Sequence, residues 1–294
     1  MTTISAASAT ADPGRPPPSA LSGILTIGGR ELRDAVRSRW FLLYALAFAV
    51  LGLAVSFVSA AGTGGTGLSG FGRTTAGLVN LVLLVVPLMA LTAGAGSIAS
   101  DRERGMLAYV LAHPVSRCEL LLGKFIGLAG AMLACLTLGL GVCAITLAAN
   151  GIRTKPESIL WLAALAFLLA LAMLSVGILI SVLARRATIA VGTAVFSWLS
   201  LVFVSDLALM AGAIALRIRI QDLFALSLIN PLQVFKMWSL HAVDASLDVL
   251  GPAGLYATEE FGSRVHLLFA GSLTAWIVAP LIVAGTILNR RSPL

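Results

Sequence analysis

Six uninterrupted apolar runs decide what this chain can fold into. They cover residues 40–60, 78–99, 121–149, 159–183, 189–209 and 266–288. A helix needs roughly 20 residues to cross about 30 Å of hydrocarbon, and every run meets that length. Barrel strands would show short alternating segments instead. The runs therefore predict an all-α integral membrane protein with six transmembrane helices. Composition agrees, since 59% of the 294 residues are hydrophobic and 11% are charged, whereas a soluble domain carries about a quarter of its residues charged. Disorder is excluded as well, because it requires low hydrophobicity and high net charge.

The scarce charge is informative through its placement. Net charge is +7, from 17 Arg and 3 Lys against 13 acids. A nucleic-acid surface would gather these bases into dense patches interleaved with aromatics; here they stand at the ends of apolar runs, so no nucleic acid is expected. With both termini on one side, that side receives Arg15, Arg30, Arg33, Arg37, Arg39, Arg102, Arg104, Arg117, Lys124, Arg185, Arg186, Arg290 and Arg291, 13 in all. The other side receives 7. The base-rich side is cytoplasmic by the positive-inside rule, which places both termini in the cytoplasm. Three cysteines make no disulfide framework.

Residues 1–22 are rich in Ser, Thr, Ala and Pro and lack the basic start and apolar core of a signal peptide. They read as a disordered cytoplasmic tail ahead of a single domain, 23–294. Within 24–39, Ile24, Ile27, Leu32 and Val36 recur near helical spacing with Arg30, Arg33 and Arg37 between them. This predicts an amphipathic helix on the inner leaflet that leads into the first span at Trp40. Gly123, Gly127 and Gly130 would let the third span pack closely against a neighbour, in the same chain or across a dimer.

On the outer side, 210–265 is too long and too apolar for a plain loop. Residues 223–229 and 234–243, either side of Asn230 and Pro231, read as helices lying on the outer membrane surface, a platform that gates a path or receives a partner. Asp206, near the outer end of the fifth span, joins Asn230, Pro231 and Lys236 as an outer-face candidate. For Asp206 a local pairing is favoured over substrate binding.

The inner connection carries the densest signal. It reads Ser100-Asp-Arg-Glu-Arg-Gly-Met-Leu-Ala-Tyr-Val-Leu-Ala-His-Pro-Val-Ser-Arg-Cys-Glu. Ser100 with Glu103, and Ser116 with Glu119, have capping-box spacing, and Pro114 stops a helix because the residue before it is pushed out of helical geometry. The expectation is a short helix, 101–112, that presents Met106, Tyr109 and Val110 to a cytoplasmic partner.

From Glu103 to Lys124 the pattern E-R-G-x-L-x-x-x-L-x-x-P-V-S-R-x-E-L-L-L-G-K resembles the signature of type-2 ABC exporter permeases. In that family this segment is the coupling helix, seated in a groove of the nucleotide-binding subunit, and an interfacial elbow helix precedes six spans. The resemblance implies that residues 24–39 are the elbow. It also implies that Asp101, Arg102, Glu103, Arg104, Gly105, Met106, Tyr109, Pro114 and Arg117 couple the chain to an ATPase. Met106 stands where Thr is commoner and His113 where a small or polar residue is usual; neither change removes the caps or the Pro stop. Segments 70–81, 86–91, 205–209 and 230–236 are further similar to NosY-type permeases, which serve copper-site maturation of nitrous oxide reductase. That likeness implies a cytoplasmic ATPase holding ATP and Mg, a second copy of this chain, a periplasmic β-helix protein and an inner-membrane location. The alternatives are a generic exporter of a drug, lipid or other small molecule, and a non-transporting anchor. Neighbouring genes would separate the three.

Other patterns carry less. Gly62-Thr-Gly-Gly-Thr-Gly67 satisfies a dinucleotide fingerprint, but it follows a membrane span where a βαβ unit is required. No G-x-x-x-x-G-K-[ST] is present, so the chain is expected to bind no cofactor and hydrolyse no ATP itself. No span centre carries an ionisable residue, which argues against an ion-driven cycle. Soft or imidazole metal ligands show no M-x-x-M, H-x-x-H or C-x-x-C spacing. No metal site is expected, and Met237 with His241 is the single weak pair.

Overall fold

The computed structural model describes residues 20–61, 69–106, 116–149, 156–207, 211, 219–242 and 264–290. Among these residues there is no strand. The helices in chain order are α1 (Ala20–Arg37), α2 (Arg39–Ala61), α3 (Ser69–Glu103), α4 (Arg117–Ala149), α5 (Pro156–Leu183), α6 (Ala187–Leu199), α7 (Ile220–Ile229), α8 (Pro231–Ala242) and α9 (Val265–Arg290). A π-helical turn, Ser200–Val204, carries α6 onward to residue 207. Each apolar run falls within α2 to α6 or α9 as far as it is described. The helices are longer than the runs because polar residues at their basic ends continue the backbone bonding.

Five helices are long and apolar enough to cross a membrane singly: Ala76–Glu103, Arg117–Ala149, Glu157–Leu183, Ala187–Leu207 and Val265–Arg290. Two bent pairs pass the same test together, α1 with α2 at 63° and α7 with α8 at 112°, so up to seven crossings fit. The first bend falls at Ser38, whose hydroxyl accepts the Phe41 N–H at 3.1 Å and so caps α2.

Backbone-to-backbone packing of small residues organises the bundle, as expected where lipid offers no hydrophobic contrast. The most extensive contact joins α3 to α5. A Cβ on Gly94 would stand 2.7 Å from the Leu174 carbonyl oxygen, and one on Gly177 would stand 2.5 Å from that of Leu91. Nearby, the buried Ser181 hydroxyl accepts the Ile98 and Ala99 N–H groups at 3.0 and 2.8 Å. The glycines of α4 receive α1. A Cβ on Gly127 would lie 2.5 Å from the Gly28 carbonyl oxygen, one on Gly123 would meet Ile27, and one on Gly130 would meet Leu32. The close neighbour anticipated for the third span is thus the amphipathic helix of the same chain. Phe48 of α2 fills the notch over Gly139.

The segment 219–242 departs from expectation. Helices form on both sides of Asn230 and Pro231, but they do not lie flat on the bundle. Val234, Phe235 and Ser239 are fully buried, and Phe224, Leu232, Met237 and Trp238 are nearly so. α8 packs against α3, α5 and α9. Apolar character alone does not distinguish burial in lipid from burial against the bundle, and here Gln233 and Ser239 also turn inward, Gln233 to Asp206. The rest of the expected platform, 208–210, 212–218 and 243–263, lies outside the described residues.

Candidate functional site: a fastened basic end and a polar cavity

At the basic end, α3 does not stop at Ala99. The Ser100 hydroxyl donates back to Gly96 within the helix, a bond that competes with capping, and Arg104 N–H bonds the Ser100 carbonyl at 3.1 Å. Ser100 and Glu103 therefore form no capping box, and no separate helix begins at Asp101. α3 runs to Glu103, then Arg104 and Gly105 turn, with Gly105 at φ 71°. That left-handed value suits glycine just past a helix end. Arg104, Gly105 and Met106 are exposed. The remainder of the expected docking helix, 107–112, with Tyr109 and Pro114, lies outside the described residues. The second box is formed: Ser116 N–H donates to Glu119 Oε2 at 3.4 Å and Glu119 N–H to Ser116 Oγ at 3.2 Å.

The charged side chains flanking this turn are fastened to neighbouring helix ends. Arg102 donates from Nη1 to the Ala184 carbonyl at 2.6 Å and more distantly to that of Val182, at the C-terminal end of α5. Glu103 Oε2 accepts the Ala187 N–H at 3.1 Å, at the start of α6, where Arg186 provides no side-chain cap. Arg117 donates to the Leu288 carbonyl at 2.6 Å, at the end of α9. A guanidinium thus sits on two helix C-termini and a carboxylate on a helix N-terminus, each on the end whose partial charge it opposes.

Lys124 is the hub of the same region, and its side chain is only 5% exposed. Its ammonium reaches Asp101 at 2.7 Å, Glu31 at 2.9 Å and the Ser97 carbonyl at 3.3 Å. Three donors meet three acceptors, and α1, α3 and α4 are tied at one point. Nothing in the sequence pattern separated Lys124 from other anchors. Its position one turn inside an apolar run was the available signal.

At the far end of the same helices is an open cavity of about 170 Å³, lined by Asn80, Leu83 and Leu84 of α3, Leu201, Val202 and Asp206, and Leu232, Gln233 and Lys236 of α8. Asp206 accepts Gln233 Nε2–H at 2.5 Å. Asn230 donates from Nδ2 to the Leu201 carbonyl at 2.7 Å and accepts Leu232 N–H on Oδ1 at 2.9 Å. It therefore caps α8, with Pro231 at the first helical position, and at the same time holds the π-turn. Three of the four outer-face candidates, Asp206, Asn230 and Lys236, thus meet around one turn, joined by Gln233 and Asn80, which the sequence reading missed.

Met237 Sδ accepts the Ser227 hydroxyl at 3.7 Å, while the His241 ring lies 5.0 Å from that of His266. His266 Nδ1 in turn accepts Trp238 Nε1–H at 3.0 Å. Among the described residues no three His, Cys, Asp or Glu side chains are grouped to hold a metal.

The family model for the ABC-2 family transporter protein matches residues 25–292. The chain belongs to the ABC-2 transporter family. Two similar relatives carry the name "Probable ABC transporter permease protein NosY". The one from Stutzerimonas stutzeri is 28% identical over 281 residues, covering 92% of this chain and 99% of the relative. The one from Pseudomonas aeruginosa is 31% identical over 276 residues, covering 91% and 98%. The chain is thus an ABC transporter permease, a multi-pass membrane protein whose helices match the family along nearly its whole length. In such a permease, a fastened helical end beside an exposed turn suits contact with a partner.

Proposed function

We propose that this permease crosses the inner membrane six times, with α1 as an interfacial elbow, both termini in the cytoplasm and two copies in the working unit. The exposed turn Arg104–Gly105–Met106 and the residues after it dock on a cytoplasmic ATPase. That subunit holds ATP and Mg, and its cycle drives export or acts on a periplasmic partner. The supporting observation is that α3 projects an exposed, glycine-terminated end from the point where α1, α3 and α4 are tied by one buried lysine. Force applied at that turn therefore enters three helices at once. The likeness to NosY-named relatives extends the proposal to copper-site maturation of nitrous oxide reductase with a periplasmic β-helix protein.

Docking is tested at residues whose side chains make no other commitment. Gly105→Val strains the left-handed turn, and Met106→Asp places a charge where an apolar contact is expected. Together they should lower recovery of the ATPase subunit in co-purification about tenfold, the equivalent of about 1.4 kcal/mol. Undiminished recovery would sink the docking assignment.

A further inference from the structure

Resemblance alone would make Arg102 and Glu103 contacts for the ATPase. Their bonds give them a different part. Arg102 holds the carbonyls at the end of α5 and Glu103 holds the first N–H of α6. Two consecutive residues therefore straddle the 184–187 junction, a cation on the helix end before it and a carboxylate on the helix start after it. Among the described residues α6 packs along α3 and touches α5 only lightly. Of Ala187–Leu199 only Ala190 and Ala194 are buried, whereas α3 and α5 are locked through Gly94 and Gly177. At its distal end α6 passes into the π-turn, an arrangement frequent at functional sites. There Asn230 and Gln233 of the α7–α8 hairpin hold Leu201 and Asp206. Trp198, near that turn, has a buried indole N–H with no acceptor among the described residues. A displaced α6 could supply one.

We propose that Arg102 and Glu103 are positioning residues that transmit movement of the docking turn to α6, and through α6 to the cavity at its far end. Ala187 and Asp206 are 19 residues apart, so the link spans about 28 Å at 1.5 Å per residue. Movement of the turn pulls the start of α6 through the Glu103 carboxylate. α6, carried with that turn, then shifts the π-turn against α8 and changes access to Val202, Asp206 and Lys236. The inference rests on the docking reading above and assigns Glu103 a hydrogen-bonding task where docking would assign a charged contact.

The test uses the permease with its ATPase subunit in lipid nanodiscs, with the exposed Cys118 replaced by Ser and a reporter thiol introduced as Val202→Cys. Its rate of modification by a polar maleimide is measured with and without ATP and vanadate. Nucleotide should change that rate about fivefold or more, the usual scale of coupling between distant sites. Glu103→Ala and Arg102→Ala should abolish the change while the ATPase subunit still co-purifies. Glu103→Gln retains an oxygen acceptor for Ala187 N–H and should restore the change; a role resting on the carboxylate's charge would be lost in Gln as in Ala. A nucleotide response that persists in Glu103→Ala, or is lost equally in Glu103→Gln, overturns the inference and leaves docking intact. Failure of the unsubstituted chain to retain the ATPase overturns the docking reading and the inference together.

Discussion

Gly177→Leu is expected to lower the unfolding midpoint more than any other single change outside the charged hub. The new side chain would enter space held by the Leu91 carbonyl and the Ala95 N–H of α3. These are backbone atoms and cannot turn aside as a side chain can. Overpacking costs typically about 1–3 kcal/mol and occasionally more; a backbone-against-backbone contact belongs at the upper end, about 3 kcal/mol. A folded protein holds only about 5–15 kcal/mol in reserve. Thermal unfolding in detergent of a Cys118→Ser background, followed by a thiol-reactive dye reporting the buried Cys135 and Cys143, reads the effect directly. Gly192→Leu is the control, because a Cβ there meets nothing within 4 Å. Equal midpoints for the two variants would mean that α3 and α5 are not packed backbone to backbone.

Lys124→Met should have a comparable effect for an electrostatic reason. It removes the ammonium that pairs with both Asp101 and Glu31, whose side chains are 27% and 21% exposed. Removing one partner of a buried pair costs about 3–5 kcal/mol because the remaining charge is left uncompensated. Partial wetting of both carboxylates puts the expectation at the low end, about 3 kcal/mol. The same dye assay measures it. Adding Glu31→Gln to Lys124→Met removes one stranded carboxylate and should recover part of the loss. A double variant no more stable than the single one would show that the lysine stem's packing, not its charge, is what matters. By contrast the Arg30–Asp34 pair, 3.6 Å apart and about two-thirds exposed on α1, should tolerate either truncation.

Much of this architecture was legible in advance. The six apolar runs, the amphipathic stretch before the first of them, the Ser116–Glu119 cap and the glycines of the third span all reappear as α2 to α6 and α9, α1, the start of α4 and the groove under α1. Each is a local property, fixed by helix length, side-chain period or cap spacing, and each needs no knowledge of a distant neighbour. The Ser100–Glu103 box failed for an instructive reason. Its spacing is correct, yet Ser100 lies inside a helix that its neighbours keep running, so the hydroxyl turns back to Gly96 and Glu103 reaches another helix. The burial of α8 was not legible either, because apolar residues look the same facing lipid as facing other helices.

The candidate site divides along the same line. The sequence named Asp101, Arg102, Glu103 and Arg117 as a group through resemblance, and Asp206, Asn230 and Lys236 through polarity in an apolar setting. It could not say that Arg102, Glu103 and Arg117 would be spent on helix ends 82 to 171 residues away while Asp101 met Lys124, nor that the second group would gather around a π-turn. By itself the sequence determined the solvent and the elements: 59% apolar and 11% charged residues leave lipid as the medium, and run length makes the elements helices. Only the tertiary structure decided which polar groups satisfy one another. In a low-dielectric interior an unpaired donor or charge is costly, so each must find a partner wherever the fold brings one within about 3 Å, and that distance is a property of packing, not of order along the chain.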